Sequence, residues 1–189
     1  MQLNIYNISH PIIKILSSLT RQEKENIILS SYYHKQIGLL LIYEVLRKHI
    51  TIHEIYIKSL YSTKLFNVIS KEKKYIIFTN LRDNYNMVSE IQMLISNIKI
   101  IDISYNNRTG KDKDIYKIIN SAKYLEIFIL MRELRTIKII DIIQEIKLQN
   151  NISTDNIQII SIIAYQDILT RLSYHYPQLK IYTTKITCD

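Results

Sequence analysis

Short apolar runs at 75–80 (YIIFTN), 98–104 (IKIIDIS), 125–130 (LEIFIL), 157–164 (IQIISIIA) and 180–184 (KIYTT) punctuate this chain, and they limit its fold more than any other feature. Each run is rich in β-branched residues and mostly lacks polar alternation, as expected of strands buried on both faces. Between them lie amphipathic stretches at about 86–96, 137–148 and 166–175. In the middle one Ile139, Ile140, Ile143 and Ile146 fall to one side, with Asp141, Glu145 and Lys147 elsewhere. Strands alternating with helices over short connections predict an α/β fold with a mostly parallel sheet flanked by helices. At 189 residues and 47% apolar content the chain is expected to be one domain, 1–189, with a full core. The exception to the alternation is NNRTGKDKD, 106–114, which reads as a polar loop.

The N-terminal third is expected to be helical. Thr20 and Glu23 have the spacing of a capping box ahead of Ile27, Ile28, Ile37, Leu40, Leu41 and Val45, which predicts a helix over about 21–48, divided near Gly38. The run TIHEIYIKSL, 51–60, roughly alternates and predicts a strand with one exposed face in a peripheral ribbon.

A sheet of this kind usually binds phosphates in turns where backbone amides approach closely, a geometry that glycine permits. This chain has two glycines, Gly38 and Gly110. Isoleucine, lysine, asparagine and tyrosine are abundant while alanine is scarce. The favoured residues have A- and T-rich codons, so the skew is read as genomic drift, with a plastid or other reduced genome as the expected source. The same drift explains much of the formal charge of +8, although such a charge also fits a polyanion partner such as RNA. The densest basic group, Lys71, Lys73 and Lys74, has Glu72 within it. Cys188 is the only cysteine, which excludes an intramolecular disulfide and a cysteine zinc site and fits a reducing compartment. No signal peptide, transit segment or membrane-spanning run is recognisable, so no membrane partner is expected.

Several segments together resemble the uracil phosphoribosyltransferases, of the type I phosphoribosyltransferase fold. They are His10 to Ile13, Leu40 to Glu44, then Leu81, Arg82 and Met87, Tyr105 and Asn107, Met131, and finally Tyr182, Thr183 and Ile186. The resemblance implies pyrimidine salvage, in which the ribose phosphate of phosphoribosyl pyrophosphate passes to uracil with magnesium. It also implies a homo-oligomer, such as a dimer. Arg82 is the residue it assigns to donor phosphate.

The departures fall in the motifs. The family's first donor turn reads leucine, arginine, alanine, glycine, leucine, glycine, methionine; here it is Leu81, Arg82, Asp83, Asn84, Tyr85, Asn86, Met87. Both glycines are replaced, and Asp83 opposes an incoming pyrophosphate. The arginine expected after Tyr105 is Asn106, with Arg108 as a possible substitute. The principal donor motif, an aspartate, proline and methionine followed by alanine, threonine and two glycines, corresponds to about Ile129 to Thr136. Arg132, Glu133, Arg135 and Thr136 are the candidate replacement contacts there. The family's glycine-rich uracil-reading segment lies beyond the last strand, and none is recognisable after Ile186, so no uracil-binding residue is assigned.

No other constellation carries chemistry. His10, His34, His49, His53 and His175 lack zinc spacing and read as structural or solvent-facing. Ser17 and Ser18 have no assignable base, and the dispersed tyrosines read as core packing. No catalytic or metal-binding residue is assigned. The expected function is a divergent uracil phosphoribosyltransferase homologue with weak or lost activity, needing magnesium if active. The alternatives are a noncatalytic RNA- or protein-binding module on that scaffold, or a partner of a complete homologue in a mixed oligomer.

Overall fold

The computed structural model describes residues 3–22, 26–70, 72–95, 98–103, 124–150 and 152–188. In chain order its elements are β1 (Asn4–Asn7), α1 (Pro11–Gln22), α2 (Ile27–His49), β2 (Ile52–Lys58), β3 (Thr63–Ile69), β4 (Lys73–Thr79), α3 (Leu81–Val88), α4 (Ile91–Leu94), β5 (Ile98–Asp102), β6 (Tyr124–Leu134), α5 (Lys138–Asn150), β7 (Ile157–Tyr165), α6 (Gln166–His175) and β8 (Lys180–Thr187). The five apolar runs and β1 pair as a six-stranded sheet in the order β1-β8-β7-β6-β4-β5, and every pairing in it is parallel.

Alternation along each strand divides the core into two layers. On one face Ile76, Ile127, Ile129, Ile159 and Ile181 pack with Ile139 and Ile143 of α5 and Leu169 and Leu172 of α6. On the other, Tyr75, Ile77, Phe128, Leu130 and Ile160 meet Ile37, Leu41 and Val45 of α2 and Met87 of α3. Burying so many aliphatic side chains, at roughly 1.5–3 kcal/mol each relative to exposure, is what holds the layers together. The predicted α/β fold is therefore present, with the N-terminal helices covering one face.

Local details differ from the sequence expectations. Thr20 is not a cap: it lies inside α1, with Oγ1 donating to the Leu16 carbonyl at 2.9 Å. The helical region breaks ahead of α2, where Asn26 is the cap, its side chain accepting from Leu29 N at 3.2 Å. Pro11 starts α1, where a missing N–H costs nothing. Helix α2 continues through Gly38 because the absence of a Cβ there serves packing rather than a break. A Cβ would lie 2.6 Å from Met87 Cβ and 2.7 Å from Met87 Cα and O. The stretch expected at 86–96 instead forms α3, beginning at Leu81 under the Asn80 cap, followed by the separate short α4.

The peripheral ribbon exists as the antiparallel pair β2–β3, but it is exposed on both faces rather than one. Its register puts Ile55 opposite Phe66 and Ile57 opposite Lys64 on one face, and Tyr56 opposite Leu65 on the other. Strands β1 and β3 were not anticipated: β1 is too short for a pattern to show, and β3 mixes Lys64 and Asn67 with apolar residues. The polar stretch 106–114, with Asn106 and Arg108, and the preceding Tyr105 lie outside the described residues.

Candidate functional site

In open parallel sheets, ligands approach the carboxyl ends of the strands. Here those ends bring together the turn into α3, the far end of β6, and the end of β5. Asn80 follows β4 directly, and its side-chain oxygen accepts from Arg82 N at 3.1 Å. Asp102, the last residue of β5, reaches across from the neighbouring strand and accepts from Leu81 N at 3.0 Å. The Asn80 amide also donates to the Asp83 carboxylate at 2.6 Å. Free amides at a helix N-terminus form a ready anion site. In this chain two of them are held by the chain's own side chains.

Asn84 stands where the resemblance places the first glycine of the donor turn. It is 4% exposed, and its side-chain oxygen accepts from Arg132 N at 3.1 Å. That bond coincides with an irregularity running through three strands. Pairing of β6 with β7 skips from Met131–Ser161 to Glu133–Ile163, and pairing of β7 with β8 skips from Ser161–Thr183 to Ile163–Lys185. The side-chain faces switch across the same row: Leu130 packs in the layer under α2, whereas Leu134 packs under α5. Such breaks re-aim side chains beside functional sites. Here the interrupted backbone groups find local partners, because Thr184 Oγ1 donates to the Ile162 carbonyl at 2.6 Å and Asn84 takes the Arg132 amide.

The candidate residues are distributed around this end of the sheet. Arg82 is exposed on the first turn of α3. Arg132 and Glu133 are exposed but belong to strand β6, which runs to Leu134, so the stretch aligned with the family's phosphate-cradling turn begins as extended backbone. Arg135 follows the strand with its guanidinium over the Tyr165 ring, 5.2 Å from the centroid. The Thr136 carbonyl accepts from Ile139 N at 3.3 Å and so leads into α5.

His34, which the sequence reads as structural or solvent-facing, lies close enough to this end of the sheet to feel two of the candidate residues. It lies on α2, and its Nδ1 donates to the Ser30 carbonyl at 2.7 Å. Partial burial holds its pKa below the ordinary histidine value despite that bond; Arg132 lowers it further, and Glu133 opposes the shift. The neutral ring is thereby favoured, within electrostatic range of both β6 side chains. No ligand-type spacing in the sequence marks it, because its neighbours come from a strand about 100 residues away.

At the amino ends of the strands a second polar cluster is structural in character. His49 Nδ1 lies 3.3 Å from Glu126 Oε2, which also accepts from Gln158 Nε2 at 3.1 Å. Among the described residues cations occur at both ends of the sheet, including Arg47, Lys48 and Lys180 at one and Arg82, Arg132 and Lys185 at the other, with carboxylates beside each group. No group of three or more metal-type side chains occurs among the described residues, and no described helix is long and apolar enough to cross a membrane.

Comparison with known proteins accords with this geometry. The family model for uracil phosphoribosyltransferase matches residues 7–188. A uracil phosphoribosyltransferase homolog of Porphyra purpurea is 24% identical over 186 residues, covering 98% of this chain and 89% of that protein. The uracil phosphoribosyltransferase of Synechocystis sp. is 25% identical over 191 residues, covering 98% of this chain and 88% of that protein. A solved structure from Aquifex aeolicus superposes with a TM-score of 0.70 at 20% identity, over 97% of this chain and 88% of that one, which supports the fold. With the family model spanning nearly the whole sequence, the chain belongs to the uracil phosphoribosyltransferase family.

Proposed function

We propose that this protein keeps the family scaffold while its donor site is closed by its own side chains, so that formation of UMP from uracil and phosphoribosyl pyrophosphate is weak or lost. The observation that carries this reading is Asn84: a buried side chain fills the position of a glycine and holds the amide of Arg132. A pyrophosphate needs close backbone approach there, and reacting groups misplaced by about 1 Å already lose on the order of a hundredfold in rate. In the turn into α3 itself, Asp102 holds the Leu81 amide and Asn80 the Arg82 amide.

Any residual reaction would be displacement of pyrophosphate at the ribose carbon by the uracil nitrogen. Arg82 would bind the donor phosphate, and Arg132 or Arg135 would add charge-assisted hydrogen bonds. Magnesium would neutralise the donor in such a reaction, but the side chains at hand do not fit it. Ile129 and Leu130 occupy the stretch where the family carries its acid, Asp83 is bonded to Asn80, and Asp102 to Leu81.

The family resemblance also supports a homodimer, and the exposed β2–β3 ribbon is the surface we assign to it. The abundance of residues whose codons are rich in A and T supports a plastid location. The direct test of the functional reading is conversion of labelled uracil and phosphoribosyl pyrophosphate by the purified protein with magnesium, with Arg82→Ala as the contamination control. No product from folded protein is expected. Product that disappears in Arg82→Ala would refute a closed donor site.

A further inference from the structure

We propose that β1 pairs antiparallel with β1 of a second copy of the chain, across a two-fold axis at Tyr6, so that the sheet runs on from one protomer into the next. The inference rests on the homodimer reading and names a contact surface beyond the ribbon. β1 is an edge strand: among the described residues it pairs with β8 alone. All four of its residues are exposed, and Asn-Ile-Tyr-Asn carries no lysine, proline or bulge of the kind that keeps sheet edges apart. The opposite edge, β5, carries Lys99 and Asp102.

The hydrogen-bond register makes this edge complementary to itself. Ile8 N donates to the Thr183 carbonyl at 2.8 Å, and Thr183 lies opposite Asn7. Alternate residues of a parallel strand direct their N–H and C=O to opposite sides, so Tyr6 bonds β8 as Ile8 does, while Ile5 and Asn7 point away from it. In an antiparallel pair, residues whose groups point at the partner strand must stand opposite one another. Ile5 then faces Asn7 of the second copy, Asn7 faces Ile5, and Tyr6 faces Tyr6 in the close, non-hydrogen-bonded position.

Tyr6 is already oriented for that contact. Its ring stacks on Tyr182, with centroids 4.8 Å apart and planes at 15°. Lys48 Nζ lies 4.9 Å from the Tyr6 centroid and 5.6 Å from that of Tyr182, which places it beside the pair; on the outer face of Tyr6 it would be farther from Tyr182 by almost another ring spacing. The face of Tyr6 turned away from β8 is thus left for Tyr6 of the second copy, and cross-strand aromatic pairs stabilise such ladders. A four-residue edge is small beside the area a stable interface buries, on the order of 1,200–2,000 Å². Lys48 stands just before β2, so the ribbon, with Ile55, Tyr56 and Phe66 exposed, leaves from the same corner and supplies further apolar area.

The test is disulfide cross-linking of the full chain in a Cys188→Ser background, since Cys188 is exposed. With the axis at Tyr6, the Cα atoms of two Tyr6→Cys chains lie about 4.5 Å apart, and those of Ile5→Cys and Asn7→Cys about 5.5 Å, both within disulfide reach. Two Ile5→Cys chains are separated by a diagonal of about 7–8 Å, which is too far. With oxidised glutathione we expect Tyr6→Cys to form a covalent dimer, and Ile5→Cys and Asn7→Cys to cross-link when mixed but not alone. Ile5→Pro removes an outward N–H without touching the β8 ladder, and it should raise the dimer Kd about tenfold or more at an unchanged far-ultraviolet spectrum. Should Ile5→Pro not fold, the cross-links decide alone. Equal cross-linking of all three cysteine variants would overturn the β1 contact, as would a dimer that Tyr6→Cys fails to capture or that Ile5→Pro leaves as tight as the parent; each leaves the homodimer standing. A parent that sediments as a monomer at every concentration would overturn both.

Discussion

The contact between α2 and α3 offers the sharpest stability test, because two opposing effects of one methyl group can be weighed. Gly38→Ala should favour the helix by about 0.5–1 kcal/mol, since glycine loses more backbone freedom on folding. The added Cβ would, however, sit 2.6 Å from Met87 Cβ and 2.7 Å from Met87 Cα and O. Two of those atoms are backbone, so no rotamer change relieves them and one helix must move. Overpacking of this kind costs about 1–3 kcal/mol or more. The net expectation is a loss of about 1–2 kcal/mol, read as a lower urea midpoint at unchanged slope, or as a fall of about 2–8 °C in Tm for a chain of this size. The displacement should reach the site, because Met87 lies one turn beyond Asn84 on α3, and the Arg132 amide resonance should move with it. Adding Met87→Ala should restore little, since the clash with the backbone remains. A Gly38→Ala protein as stable as the parent would refute the close crossing.

Other perturbations address the remaining polar contacts. Asn84→Ala leaves the Arg132 amide without its partner, and a cost of about 1–3 kcal/mol is expected, with faster hydrogen exchange at Arg132 as the specific readout. For Glu126, burial alone would raise the pKa, but the His49 bond and charge, the Gln158 amide and Lys73 together hold it below the ordinary value. The unfolded chain therefore takes up the proton first. Stability is fully present above the unfolded pKa and is lost as pH falls through the folded one, so an acid denaturation series should flatten in Glu126→Gln. His34 has a depressed pKa as well, and its proton titration by NMR should fall below that of an ordinary histidine. If the ribbon is the dimer surface, Phe66→Glu should shift sedimentation toward the monomer while leaving the far-ultraviolet spectrum unchanged.

The sheet was legible because its strands are buried on both faces, and runs such as IQIISIIA have few other uses in a folded chain. Helix α6 was equally clear, since Ile168, Leu169 and Leu172 keep helical spacing and all three are buried. The failures occurred where short-range chemistry competed. Thr20 has capping-box spacing, yet the helix begun at Pro11 had not ended, so its hydroxyl bonds back to Leu16 instead. The role of Gly38 could not be read from α2 alone, because its reason lies on α3. At the site, the replaced glycines were visible in order along the sequence, but the bonds that fill their places were not. In the sequence Asp102 stands only as one residue of an apolar run, and its bond to Leu81 spans 21 residues of chain.

The pattern of replacements also bears on why the scaffold persists. Glycine in a phosphate turn leaves amides exposed for a ligand, an arrangement suited to binding and costly to a chain that no longer binds. Asn80, Asn84 and Asp102 each give one such amide an internal acceptor, at 3.0–3.1 Å. Neither core layer needs the turn itself: Ile129 and Leu130 remain fully buried beneath the altered end of β6. Under the proposed reading, substitutions that close the donor site are expected to raise local stability rather than merely to erode function. Restoring glycine at position 84 discriminates between the two. A chain that decayed at random should tolerate Asn84→Gly with little loss, whereas a chain that rebuilt the turn should lose stability comparable to Asn84→Ala, about 1–3 kcal/mol, without regaining UMP formation. A tolerated Asn84→Gly would show that the Asn84–Arg132 bond contributes little and would remove the main support for a closed site.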